Sequence, residues 1–128
     1  MVRRQIPGVF LVVGVLIFAS GCGDERPLVA RGKPVSHWLN ELKSPKAKSR
    51  KQAAFCLGLV GSRDAAAIPA LIQTLKDDEA EVRRSVVLAL LNIGPAAREA
   101  LPALEQARRD ADERVRSYVP KAIQKIQD

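Results

Sequence analysis

Groups able to do covalent or acid–base chemistry are sparse in this sequence of 128 residues. His37 is the only histidine, so a histidine-based metal cluster within one chain is impossible, and its place beside Trp38 at the start of a helical pattern suits a cap or surface role. Of the serines after residue 22, namely Ser36, Ser44, Ser49, Ser62, Ser85 and Ser117, none stands in a G-x-S-x-G turn. Cys56 falls inside the apolar run "AAFCLGLVG", where a thiol is a small core residue and not a nucleophile. Paired carboxylates occur at "KDDEAE" and "RDADE", but both sit where helices begin, and acidic side chains there satisfy free amides and favour the helix dipole. Glycine-rich phosphate loops, dinucleotide fingerprints and calcium-loop spacings are missing. These residues predict no enzyme, no cofactor and no metal site.

Cationic side chains are the remaining distinctive group: 21 Lys and Arg against 14 Asp and Glu give a formal net charge of +7. Lys43, Lys46, Lys48, Arg50 and Lys51 crowd one segment, and Arg108, Arg109, Arg114 and Arg116 crowd another. Interleaved aromatics of the kind that stack on single-stranded nucleic acid are lacking, so no nucleic acid is expected. An acidic protein face, acidic polysaccharide or anionic head groups suit this charge better.

The elements that must position these residues repeat. At an offset of 33 residues Trp38, Leu71 and Leu104 fall in one row, Ala53, Val86 and Val119 in a second, Leu57, Leu90 and Ile123 in a third, and Arg50, Arg83 and Arg116 in a fourth. Pro69 matches Pro102, Asp77 matches Asp110 and Gly61 matches Gly94 at the same shift. A period of this size predicts a stack of similar units. Within each unit the apolar spacing is helical: Ile68, Leu71, Ile72 and Leu75, then a turn at "KDDEAEV", then Val82, Val86, Leu90 and Ile93 up to Gly94. Asp78 with Glu81 and Asp110 with Glu113 have the form of capping boxes, and Ser44-Pro45 stands where the second helix of the first unit should start. No strand signal competes.

The expected fold is therefore all-α, a short α-solenoid of about three stacked helical hairpins at 34–61, 66–94 and 99–127 within a repeat domain of 34–128. The run "VVLALL" at 86–91 is apolar almost all round, as a helix with neighbours on both sides would be. In the last unit Arg116, Lys121, Gln124 and Lys125 surround the apolar stripe, which predicts a polar-faced end cap. Three units make a stack able to stand alone, with no second domain expected. Pro120 should kink the last helix or shorten it.

Two parts of the chain resemble known families. "FLVVGVLIFASGCG" at 10–23, preceded by Arg3 and Arg4, has the order of a secretory signal: a charged head, a hydrophobic middle too short to span a bilayer comfortably and a small-residue exit. Ala19-Ser20-Gly21-Cys22 resembles the bacterial lipoprotein signal, with alanine where leucine is more usual. That likeness implies a signal peptide at 1–21, lipidation of Cys22, a linker over 22–33 and a membrane anchor, placing the protein in a bacterial cell envelope, facing the periplasm or exterior. Retention of the signal as an uncleaved anchor is the other reading. Cys56 would be left without an intramolecular partner.

The units "VSHWLNELKSPKAKSRKQAAFCLGLVG", "AIPALIQTLKDDEAEVRRSVVLALLNIG" and "ALPALEQARRDADERVRSYVPKAIQKIQ" resemble HEAT repeats, of the short bacterial kind found also in phycocyanobilin lyase-like proteins. The resemblance implies that a turn aspartate and an arginine six residues on form a ladder tying units together: Asp77 with Arg83, Asp110 with Arg116, and Arg50 in a first unit where Ser44 replaces the aspartate. Stacked helix pairs offer an elongated surface and not a pocket, so a membrane-tethered scaffold or adaptor for an unidentified, acidic protein is expected, as a monomer. Lys43, Lys46, Lys48, Lys51, Arg109 and Arg114 are the basic edge that would bind it. The alternatives are a structural envelope lipoprotein without a discrete ligand and an accessory factor to a lyase-type enzyme.

Overall fold

The computed structural model describes residues 29–128; the expected signal peptide and Cys22 lie outside the described residues. A two-residue hairpin, β1 (Val29–Ala30) against β2 (Lys33–Pro34), precedes six α-helices among these residues: α1 (Val35–Glu41), α2 (Ala47–Val60), α3 (Ala67–Thr74), α4 (Ala80–Ile93), α5 (Leu101–Ala107) and α6 (Glu113–Gln127). Helices α1, α3 and α5 are the short first helices of the units, and α2, α4 and α6 are the long second ones. Helix α4 packs between α2 and α6, which makes the order of units along the stack that of the chain.

The 33-residue rows become the core. Leu71, Leu104, Ala53, Val86, Val119, Leu57 and Leu90 are all buried, as are Trp38 and Ile123, so each first helix leans on the second helix of its own unit and each second helix on its neighbour. Close approach of α2 to α4 depends on Gly58: a Cβ there would lie 2.8 Å from the Ala89 Cα, a backbone atom that cannot step aside. Two cross-unit hydrogen bonds use this proximity, Asn92 Nδ2 to the Gly58 carbonyl at 3.0 Å and Ser85 Oγ to the Lys51 carbonyl at 3.3 Å. One helical run among the described residues, Ala80–Ala107, is apolar and long enough to cross a membrane by length and composition. It comprises α4, α5 and the segment joining them, and Val82, Val86, Val87 and Leu90 are spent on the core.

Four local expectations change. Strands exist after all: Arg31 and Gly32, both at positive φ (52° and 76°), turn the chain at 31–32, within the expected linker, as a two-residue hairpin connection requires. Buried Ala30 then accepts a hydrogen bond from Trp38 Nε1 at 3.0 Å, so the hairpin closes the open end of the first unit. The helix starts shift as well. Helix α2 begins at Ala47 with Lys46 as N-cap, so Ser44-Pro45 belongs to the turn. Helix α4 has Glu79 as N-cap, not Asp78, and α6 has Asp112, not Asp110; Asp112 accepts from the Arg114 and Val115 amides. Ser44, Asp77 and Asp110 each turn their side-chain oxygen onto the amide two residues on, at 3.2, 2.9 and 2.9 Å, and in each unit the residue so held, Lys46, Glu79 or Asp112, is the N-cap, of which only Asp112 caps with its side chain.

Between α4 and α5 the chain does not run as an open loop. Gly94, at φ 73°, ends α4, and a 3-10 segment, Gly94–Ala100, buries Ala97 and Ala100 before α5 starts. Pro120 does not shorten the last helix: α6 continues through it as one element of 15 residues. Pro120 lies on the exposed side, where water can take the carbonyl that its missing amide leaves free.

Candidate interaction surface

Arginine–aspartate rungs fix the second helices in register. Arg50 grips Asp77 through Nε (2.7 Å) and Nη2 (3.0 Å), while its Nη1 donates to the Ser44 carbonyl at 2.8 Å. Arg83 repeats this on Asp110, with Nε at 2.8 Å and Nη2 at 3.0 Å, and its Nη1 reaches the Asp77 and Asp78 carbonyls. Each arginine thus holds the turn of its own unit by backbone and the turn of the next unit by carboxylate. The expected within-unit partners, Asp77 for Arg83 and Asp110 for Arg116, supply carbonyls instead; the carboxylate belongs to the arginine 27 residues earlier. Arg116 is exposed and bonds only to the Asp110 and Ala111 carbonyls. Ser44 keeps the turn bond but brings no charge to it.

Electrostatics follow the geometry. Burial alone would raise the Asp77 and Asp110 carboxyls, but the arginine hydrogen bonds, the Glu79 and Asp112 amides and the nearby positive charges outweigh it, and both are held below the usual carboxylate range. Burial pushes the Cys56 thiol up, as suits an inert core group. Among the described residues no group of three or more His, Cys, Asp and Glu is placed to hold a metal ion.

The expected basic edge is distributed over two places. Lys48 and Lys51 line a shallow groove with Glu79 and Glu81. Lys51 Nζ donates to Glu81 at 3.0 Å and Arg114 Nη1 stands 3.8 Å from the same carboxylate, so Glu81 bridges cations of the first and last units and is itself held low by Lys51. Arg109 lies elsewhere, beside Lys76, Ile72 and Asp110 in a groove between the first helices. Lys43 and Lys46 are exposed and line neither groove.

A feature that the repeat pattern does not foretell lies on the second helices. Phe55, Leu59 and Leu88 are 53%, 50% and 37% exposed, three of the four large apolar side chains that the described residues leave in solvent. Together with Gly58, Ser85, Ala89, Leu91 and Asn92 they line one groove of about 330 Å³ between α2 and α4. Small residues form its floor because Gly58 and Ala89 let the helices touch. The apolar run 86–91 is therefore not covered all round: Leu88 points out of the stack. The signal lay in the row Phe55, Leu88, Lys121, which stays at the outer register while its neighbours are buried.

Stacked hairpins, a core built in rows and guanidinium–carboxylate rungs at a fixed interval define a short α-solenoid of the repeat-scaffold class. A family profile described as HEAT repeats matches residues 35–126. The chain belongs to the HEAT-repeat family. Two crystal structures of engineered proteins from the Northeast Structural Genomics Consortium are similar to it in fold. Both superpose with a TM-score of 0.56: one at 24% identity over 69% of this chain and 43% of its own, the other at 25% identity over 73% and 27%. The chain thus matches less than half the length of either. None of the curated proteins compared matches it. HEAT repeats generally serve as protein-interaction scaffolds, a role with which this fold is compatible.

Proposed function

We propose that the protein is a non-enzymatic scaffold, tethered to a bacterial envelope membrane by lipid on Cys22, that holds a protein partner against the face of α2, α4 and α6. The observation that carries the docking role is the apolar groove of Phe55, Leu59 and Leu88, solvent-exposed side chains gathered on one face of a rigidly clamped stack. Support for the tether is the order of residues 3–25, with small residues leading into Cys22. More than one acyl chain, as the lipoprotein likeness implies, would hold the domain at a surface while leaving the groove free to bind.

The tether is tested by metabolic labelling with radioactive palmitate: the wild-type chain takes up label and pellets with membranes, and Cys22→Ala does neither. Equal labelling of both would remove the anchor. For docking, a photo-crosslinking amino acid at position 88 should join the chain to another protein in cells, whereas the same group at exposed Lys43, outside the groove, should not. Crosslinks of equal yield from both positions would show that the groove is not the contact.

A further inference from the structure

From the charges around the groove we infer the chemistry of its occupant: a short amphipathic segment of another protein, apolar at its centre and acidic at both flanks. This rests on the docking role proposed above. The groove takes its apolar character from one turn of α2 and from Leu88 and Leu91 of α4, an extent of about 10 Å given the spacing of packed helices. That length accommodates one or two apolar side chains, not a long hydrophobic stripe. At one end Ser85, which lines the groove, bonds the Lys51 carbonyl, and Lys51 with Lys48 forms the adjoining wall. At the other end Leu91 lines both this groove and the next, whose walls carry Lys121 and Lys125. Cations thus bracket the apolar centre on two sides. Facing acids are Glu79 and Glu81 beside Lys51, and Asp128 beside Lys125. Glu81 and Lys51 neutralise each other, which leaves Lys48 beside Glu79 at one end and Lys121 and Lys125 beside Asp128 at the other, three cations to two acids.

An anionic bilayer fits less well. Phe55, Leu59 and Leu88 are exposed along a groove between α2 and α4, a concave seat that suits a short segment better than a planar lipid surface. A second copy of this face would set cation against cation.

The experiment uses the full chain in detergent micelles and a fluorescein-labelled helical peptide with leucines at i and i+4 and glutamates on both sides. Anisotropy should show saturable binding. It should weaken on the order of tenfold in Lys121→Glu/Lys125→Glu and equally in Leu88→Glu, with unchanged helical content and melting temperature in both variants. A peptide with lysine for every glutamate should not bind. No binding, equal binding of the lysine peptide, or indifference to both variants overturns the inference. So does sedimentation with vesicles of phosphatidylglycerol that Leu88→Glu abolishes while the peptide is ignored, or concentration-dependent self-association through this face. Crosslinking of a protein from position 88 together with failure of the acidic peptide would leave the scaffold standing and remove only the assigned chemistry.

Discussion

Replacing Asp110 by asparagine should cost the protein about 2 kcal/mol, and the reason is the second rung of the ladder. Asparagine keeps an oxygen for the Asp112 amide, so the turn survives, but it removes the charge that Arg83 holds at 2.8 and 3.0 Å. The side chains of Arg83 and Asp110 are only 15% and 9% exposed. Exposed pairs contribute about 0.2–1 kcal/mol. Stranding one partner of a buried pair costs about 3–5 kcal/mol. The rung lies between these limits, since Arg83 keeps its carbonyl bonds through Nη1 and loses only the carboxylate. For a domain of this size the fall in melting temperature should be roughly 8–16 °C.

A thermodynamic cycle separates the rung from its surroundings. Arg83→Met alone should be more harmful than Asp110→Asn, since it also removes the bonds to the Asp77 and Asp78 carbonyls, and the two together should cost less than their sum by about 1–2 kcal/mol, the coupling expected of side chains in direct contact. Arg116→Met is the internal control, because that arginine occupies the same register but bonds only to carbonyls in an exposed position. It should cost about 0.5 kcal/mol. The assay is urea unfolding followed by far-ultraviolet circular dichroism at one protein concentration. If Arg83→Met and Arg116→Met cost the same, or if the coupling is below about 0.5 kcal/mol, the carboxylates do not clamp the units and the account of the ladder is wrong.

Asp77 and Asp110 have lowered folded pKa values, so their contribution is fully present above the unfolded carboxylate value of about 4 and is lost as pH falls through the folded values; melting temperature should drop in acid below that point, and Asp110→Asn should drop less. Gly58→Ala should destabilise by about 1–3 kcal/mol although it favours the helix, because the new methyl meets the Ala89 backbone; a rise in melting temperature would show that α2 and α4 can separate freely. Cys56 should resist thiol reagents in native buffer and react once denaturant is added, and rapid native labelling would contradict its burial. Trp38→Phe removes the bond to Ala30 and should release the hairpin, read as faster amide exchange at residues 29–34 with a cost of about 1 kcal/mol.

What was legible in the sequence is what repeats. A buried row must be apolar in every unit, so Trp38, Leu71 and Leu104 announce themselves at the offset of 33, and with them the helix pairs and the stack. The rungs were legible as residue types but not as partners. Self-comparison aligns Asp77 with Asp110 and Arg83 with Arg116, and so invites a pairing inside the unit, while the contact that holds the fold joins positions 27 apart, across the boundary between units. Cap positions failed for a related reason in the last unit: Asp110, which looked like a cap, is claimed by a turn amide and by an arginine distant in sequence, and a window of a few residues cannot see the arginine; in the middle unit the cap falls one residue past Asp78. The hairpin at 29–34 is too short for any alternation to register, leaving Gly32 as its single local mark.

The groove was hidden by its own composition. Phe55, Leu59 and Leu88 sit inside runs that are apolar because the helices bearing them are mostly buried, so counting hydrophobic residues assigns all of them to the core. Only the third unit breaks the disguise, since the row that reads Phe55 and Leu88 ends in Lys121, and the row of Leu59 continues as Asn92 and Lys125. Rows that face the core keep their character through all three units: Leu57, Leu90 and Ile123 are buried without exception. A row that changes from apolar to cationic along the stack is free of that packing constraint and open to selection by a partner. The row of Phe55 and Leu88 turns cationic at Lys121 and that of Leu59 turns polar at Asn92, so the groove ends where the polar face of the last unit begins.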